Sequence, residues 1–200
     1  MSYKAVLLIG ATGTGKTPLG NYLATHSLYG RRCCHFDFGE QLRQAAANTE
    51  QDDGLTAAER IFLQQVLKEG RLLEDRDFPI ALKILQSFIR SQNINTADWI
   101  VLNGLPRHTG QAEALASLVQ VQHVIYLQAD AETVAVRIAT NAGGDRTGRE
   151  DDQLELVQKK LAIFTEHTLP LVEYYQARDV DVRYIQVNVD TDSAAVVEQI

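Results

Sequence analysis

Two hundred residues, 45% of them apolar and 22% charged, describe one ordinary globular domain with a full core and leave no room for a second large one. A net charge of -7 argues against a generic polyanion-binding surface, so nucleic acid is not an expected partner and any grip on phosphate must come from a few placed cations. Cys33 and Cys34 are the only cysteines and are adjacent, which leaves neither a disulfide framework nor a thiolate zinc site; with no apolar run of membrane-spanning length, the expectation is a soluble cytoplasmic protein without a membrane partner.

The first apolar segment, "KAVLLIG" (4-10), reads as a buried strand. It runs into a glycine-rich turn in which Gly10, Gly13, Gly15, Lys16 and Thr17 fit G-x-x-x-x-G-K-[ST] at every fixed position, with Thr14 inside the loop. Glycines let backbone N–H groups turn inward around phosphate oxygens, Lys16 has the reach for the β- and γ-phosphates of a nucleoside triphosphate, and Thr17 can ligate Mg²⁺. The helix "TPLGNYLATHS" follows, and Pro18 suits its first turn, where N–H groups lack intrahelical partners.

A second strand, "RCCHFDF" (32-38), is followed by "GEQLR" with Arg43. The interval from 39 to 97 is too long for a simple crossover and reads as a helical insert. Within it Thr56 and Glu59 have capping-box spacing, Gly70 marks a helix end, and Ala81, Ile84, Leu85 and Phe88 form one helical face. The third strand, "DWIVLNG" (98-104), leads into "LPRHTGQ" with Arg107; the fourth is "VQHVIYLQA" (121-129). A glycine-rich charged loop, "NAGGDRTGRE" (141-150), carries Arg146 and Arg149. Val157, Leu161 and Phe164 mark a further helix, Pro170 predicts a break after it, and "VRYIQVNVD" (182-190) is the fifth strand. His35, His108, His123 and His167 are scattered without ligand spacing, so ordinary surface or core roles are expected for them.

Alternating strands and helices predict an α/β fold with a five-stranded parallel sheet covered on both faces. Ligands of such sheets bind beyond the carboxyl ends of the strands. Arg43, Arg107, Arg146 and Arg149 all follow strand ends or lie in the loop beyond the fourth strand's helix. Convergent guanidinium groups suit phosphoryl transfer, which is done mainly by positioning and by stabilising charge on equatorial oxygens.

The cradle, "FGEQLRQAA", "KEGRLLEDRDFPIALKI", "VLNGLPRHTGQAEAL", "VIYLQADAETVAVRI" and "GREDDQLELVQKKLAIFTEHTLPLVEYY" occur in the order and near the spacing of nucleoside monophosphate kinases, and the chain resembles adenylate kinases over nearly its whole length. The resemblance implies a three-layer P-loop NTPase fold with a core at 1-38 and 98-200, an acceptor-binding insert at 39-97, and a short zinc-free lid at 141-148. It implies transfer of a phosphoryl group from Mg-ATP to a nucleoside monophosphate by a monomer. Gly10, Gly13, Thr14, Gly15, Lys16 and Thr17 would hold the donor phosphates, and Arg137 would lie against the donor base. Arg43 and Arg107, with Gly104, would clamp the acceptor phosphate and Gln111 would read the acceptor base. Arg146, Arg149 and Lys160 would bring positive charge onto the transferring group, with Asp151 steadying the lid arginines.

The pattern departs from the resemblance at defined places. Asn103 stands where adenylate kinases usually have a metal-organising aspartate, whereas Asp37 resembles the metal-organising position of shikimate kinases; compensation by Asp37 and an ordinary strand-end aspartate are both open readings. Phe38 replaces a threonine beside the acceptor base, and either stacks on a base or fills the core. The lid arginine expected near Asn141 is missing, with Arg146 a candidate substitute, and Lys160 replaces an arginine, keeping charge but losing the bidentate fork. Thr17-Pro18 stands where adenylate kinases usually have Gly-Thr. These departures leave two alternatives: a kinase of a small non-nucleotide metabolite, or a nucleotide-binding protein with weakened catalysis.

Overall fold

The computed structural model describes residues 2–47, 53–71, 73–145 and 154–200. Arg146, Arg149, Asp151 and the 146-148 part of the expected lid lie outside the described residues.

Strands β1 (Tyr3–Gly10), β2 (Cys33–Asp37), β3 (Trp99–Asn103), β4 (Val119–Gln128) and β5 (Asp181–Gln186) form one parallel sheet in the order β2-β3-β1-β4-β5. The fifth strand stops at Gln186, short of the expected 190, because the carbonyls of Asn188, Val189 and Thr191 are turned onto the Arg137 guanidinium.

The strands are apolar at successive positions because both faces are covered. Ala5, Leu7 and Ile9 of β1 join Phe36, Ile100 and Leu102 on one face, while Val6 and Leu8 join Val101 and Ile125 on the other. Helices α1 (Lys16–His26) and α9 (Ser193–Val197) bury Leu19, Leu23 and Val196 against the second face. The first face takes α2 (Phe38–Ala47), α3 (Ala57–Glu69), α4 (Phe78–Ser91), α5 (Thr109–Leu115) and α8 (Pro170–Gln176). Helices α6 (Ala131–Ala139) and α7 (Leu154–Ile163) complete the chain.

The long excursion between β2 and β3 contains α2, α3, a 3-10 turn at Asp75–Asp77, and α4. Ala81, Ile84, Leu85 and Phe88 of α4 are buried in the sheet's own core, so α4 serves as the crossover helix. Helices α2 and α3 are tied together by Arg60, which donates to the Ala45 carbonyl of α2 and pairs with Asp53 at 2.7 Å. The Thr56–Glu59 capping box opens α3, and Gly70, at φ 60°, closes it in the left-handed region that glycine enters without strain.

Between α7 and α8 the helix widens into a π-helical turn, Phe164–Thr168. Pro170 has no N–H to give the carbonyl one turn back, and the chain continues instead through a longer hydrogen bond from Leu169 N–H to the Phe164 carbonyl, 2.8 Å.

The Thr56 hydroxyl accepts from the Glu59 N–H while the Glu59 carboxylate accepts from the Thr56 backbone N–H, so Thr56→Ala removes the hydroxyl half of the cap and leaves the carboxylate half. Chemical denaturation is expected to show a loss of about 1 kcal/mol; a loss below about 0.3 kcal/mol would show that α3 is held by packing alone.

Candidate active site

The site starts from strand register. Asn103 is the register partner of Asp37 on β2 and of Leu8 on β1, so β2 and β3 end level and β1 runs two residues further, to Gly10, where the β1–α1 turn rises beside two polar side chains. Gly10, Gly13 and Gly15 of that turn have φ of 158°, 84° and 97°. At Gly13 a Cβ would come within 2.9 Å of Ile138, so the backbone approaches α6 more closely than any side chain allows. Lys16 folds over the turn, its Nζ donating to the carbonyls of Gly10 at 2.6 Å and Ala11 at 2.8 Å. The Thr14 hydroxyl is turned inward onto the Ala11 carbonyl.

Three polar side chains meet where the turn enters α1. The Thr17 hydroxyl donates to Asp37 Oδ2 at 2.7 Å, and Asn103 Nδ2 donates to the same oxygen at 2.9 Å and to Thr17 Oγ1 at 3.0 Å. Asp37 Oδ1 accepts from the Glu40 N–H at 3.1 Å. Burial works to raise the Asp37 pKa, but these hydrogen bonds, with His35 and Arg43 nearby, hold the carboxyl below its usual range. His35 behind Asn103 is shifted the other way: desolvation lowers its pKa against the pull of Asp37, which favours the neutral ring.

A cavity of about 240 Å³ lies over this group. Its lining joins the turn (Gly10, Gly13, Gly15, Lys16, Thr17) to Asp37 and Asn103, and these to Arg43, Gly104, Arg107 and Lys160. Arg107 Nε donates to the Gly104 carbonyl at 2.9 Å, and desolvation lowers its pKa while Asp37 raises it. Arg43 reaches the cavity from α2 while paired with Glu40 at 2.9 Å on the exposed rim, where an ion pair is weak and readily exchanged for a ligand.

Arg137 is buried elsewhere, only 4% exposed. Its Nε donates to the Gly13 carbonyl at 3.1 Å and its Nη1 faces the carbonyls of Asn188, Val189 and Thr191, so the guanidinium clips the turn to the β5–α9 loop. Beside it a second cavity of about 110 Å³ is lined by Pro18, Ala142, Gly143 and Thr191 among others. Pro18 is a near neighbour of Gly143: a Cβ there would come within 2.9 Å of Pro18 Cγ.

Two candidates stand apart from the main cavity. Phe38 is buried in the core beside Phe36, ring centroids 6.0 Å apart, which is the core-filling alternative and not an open stacking face. Gln111 is 2% exposed; its Oε1 accepts from the Arg107 N–H at 2.9 Å and its Nε2 donates to the Leu73 carbonyl at 3.0 Å. Other cavity residues escaped the sequence reading. Phe164 and Thr168 reach the cavity through the π-helical turn, for which Pro170 was the available signal. His35 was set aside for lack of ligand spacing, yet it contacts Asn103, because strand alternation places it two residues before Asp37 on the same strand face.

Comparison with known proteins gives a consistent set. A family model described as adenylate kinase matches residues 8–180. An adenylate kinase of Pseudothermotoga lettingae is 28% identical, covering 98% of this chain and 95% of its own length. UMP-CMP kinase 3 of Arabidopsis thaliana is 26% identical over 86% of this chain and 76% of its own. An adenylate kinase of Xanthomonas campestris is 32% identical over 86% of each.

The depressed Asp37 pKa carries a definite sign. The ionised group stabilises the fold above its unfolded value, near 3.9, and that contribution is lost as pH falls through the lower folded value. The melting-temperature gap between the parent protein and Asp37→Asn should therefore stay constant from about pH 7 to 5 and shrink below about pH 4. A gap that does not change on acidification would mean that Asp37 is held no more tightly folded than unfolded.

Proposed function

The chain belongs to the adenylate kinase family, and from that membership we propose that it moves the γ-phosphoryl group of Mg-ATP onto the phosphate of a nucleoside monophosphate. One observation carries the reading: a single cavity is lined both by the phosphate cradle and by Arg43 and Arg107, so two anions can face each other across the strand ends. A hydrolase needs only the first of these sites.

In this reading the backbone N–H groups of the turn and the start of α1 hold the donor's phosphates, and Lys16 leaves the Gly10 and Ala11 carbonyls for the more strongly charged β- and γ-oxygens. The second cavity, beside Arg137, takes the donor base. Thr17, Asp37 and Asn103 offer hard oxygen ligands of the kind Mg²⁺ takes, directly or through water. Among the described residues no group of three or more His, Cys, Asp or Glu could hold a metal ion. Bound there, Mg²⁺ would offset the negative charge of the donor's phosphate oxygens. Arg107 and Arg43 orient the acceptor phosphate, Lys160 approaches from α7, and closure of insert and lid excludes water. Positioning and charge stabilisation suffice, so no protein base is assigned.

A second reading is favoured by Phe38 and Gln111, neither of which presents a free face to the cavity. If the Gln111–Leu73 seal stays shut, the acceptor is a small non-nucleotide metabolite.

Purified protein supplied with Mg-ATP and separate panels of nucleoside monophosphates and phosphorylatable metabolites, with ADP followed, decides between them. ADP formed with a monophosphate only is the expected result; ADP with a metabolite only establishes the second reading. Binding of ATP without acceptor-dependent turnover points to a catalytically weakened nucleotide-binding protein. Lys16→Met should lower kcat by roughly 100-fold or more, as loss of a charge-stabilising donor does. Arg107→Ala should raise the KM for the acceptor by about 10- to 100-fold, the worth of a charged hydrogen bond, and change the KM for ATP far less. An equal rise in both would place Arg107 on the donor.

A further inference from the structure

An amide, unlike a carboxylate, has a right and a wrong way round, and Asn103 stands at the metal-organising end of β3. Asp37, ionised, accepts hydrogen bonds and cannot donate, so the edge of Asn103 that faces it at 2.9 Å must be the NH₂. One N–H is thereby shared between Asp37 and Thr17, and the second needs its own acceptor. His35 Nε2 lies 3.4 Å from Asn103 Nδ2. Nε2 accepts only when the ring's proton sits on Nδ1, and Asn21 Oδ1, 2.8 Å from Nδ1, is the acceptor that selects this tautomer.

The ring is also confined. A Cβ on Gly20 would come within 2.3 Å of both Cδ2 and Nε2 of His35, so the imidazole edge rests on the bare backbone of α1. A relay therefore runs from Asn21 through His35 to Asn103 and Asp37, each donor meeting an acceptor.

We propose that His35 is a positioning residue that, together with Asp37, fixes the orientation of the Asn103 amide, taking the second N–H that Asp37 leaves over and so keeping the NH₂ on Asp37 and His35 and Oδ1 toward the phosphate cavity, which Asn103 lines. There Oδ1 supplies the acceptor that an aspartate would otherwise bring, so an asparagine at this position works only with a hydrogen-bond acceptor behind it. The inference rests on the metal-nucleotide reading above for its functional consequence, but the orientation of the amide does not.

Two measurements test it. The first is Mn²⁺ affinity of the protein–ATP complex, read by electron paramagnetic resonance. His35→Leu should weaken it about 10-fold in the parent background and less than about 2-fold when Asn103→Asp is also present, because a carboxylate has no wrong orientation. His35→Gln, which keeps an acceptor oxygen, should restore most of the affinity. Equal losses in both backgrounds, or no loss in either, overturn the proposal, since a merely structural role for His35 does not depend on what occupies position 103. The second needs no nucleotide: the side-chain amide protons of Asn103, followed by nuclear magnetic resonance, should exchange with solvent markedly faster in His35→Leu, and unchanged exchange overturns the proposal. Failure of the parent protein to bind ATP would instead strike the proposed function, while the amide exchange still decides the role of His35.

Discussion

Asp37 can accept hydrogen bonds but cannot give them, and much of the strand-end arrangement follows from that restriction. Its two oxygens collect donors from three separate parts of the chain: the Thr17 hydroxyl at the start of α1, the Asn103 amide at the end of β3, and the Glu40 N–H in the first turn of α2. The first of these sets where the phosphate turn ends, the second levels two strands, and the third begins the excursion that carries Arg43. An apolar residue at position 37 would leave the same backbone with no common acceptor. The charge also faces Arg107 across the cavity floor, so anion-binding cations and the carboxylate are held in one electrostatic unit.

Several positions at which the chain departs from the pattern expected by resemblance sit close together in space. Asn103 and Asp37 are register partners, and Thr17 bonds to both. Pro18 follows Thr17 and lies close to Gly143. A carboxylate moved from one strand to its neighbour stays within a strand spacing, about 4.8 Å, of where it began, a distance that a hydrated metal ion can span. If Asp37 compensates for Asn103, the shift would change which side chain carries the charge and leave the charge of the site the same. Lys160 is a different kind of change, since it keeps the cation and gives up the planar fork.

Much of the fold was legible because it rests on local rules. The strands announced themselves as apolar runs, the phosphate turn by its glycines with Lys16 and Thr17, and α3 by Thr56, Glu59 and Gly70. The meeting of Arg43 and Arg107 with the glycine turn at one cavity was legible too, because residues just past parallel strands share one edge of the sheet. What could not be read depended on contacts distant in sequence. Gln111 gave no sign that its amide is spent on Leu73, 38 positions earlier. His35 looked idle because its partners, Asn21 and Asn103, carry no motif, and Arg137 gave no hint that it would be walled in by carbonyls from the last loop. Phe38 left two possibilities open, and its burial follows from packing beside Phe36, which itself meets Phe88 edge-on.

The widened turn at Phe164–Thr168 amounts to an α-helix with one residue too many. Each residue of an α-helix advances the chain by about 100° around the axis, and the widened turn absorbs that rotation, so the faces before and after it keep the orientation they would have in a regular helix one residue shorter. If the extra residue stayed and the turn became regular, the upstream face would swing by that angle and Lys160 would leave the cavity wall although its own surroundings in sequence had not changed. The width of one helical turn thus aims a cation: the direction of Lys160 is set by how the backbone takes up a residue downstream of it.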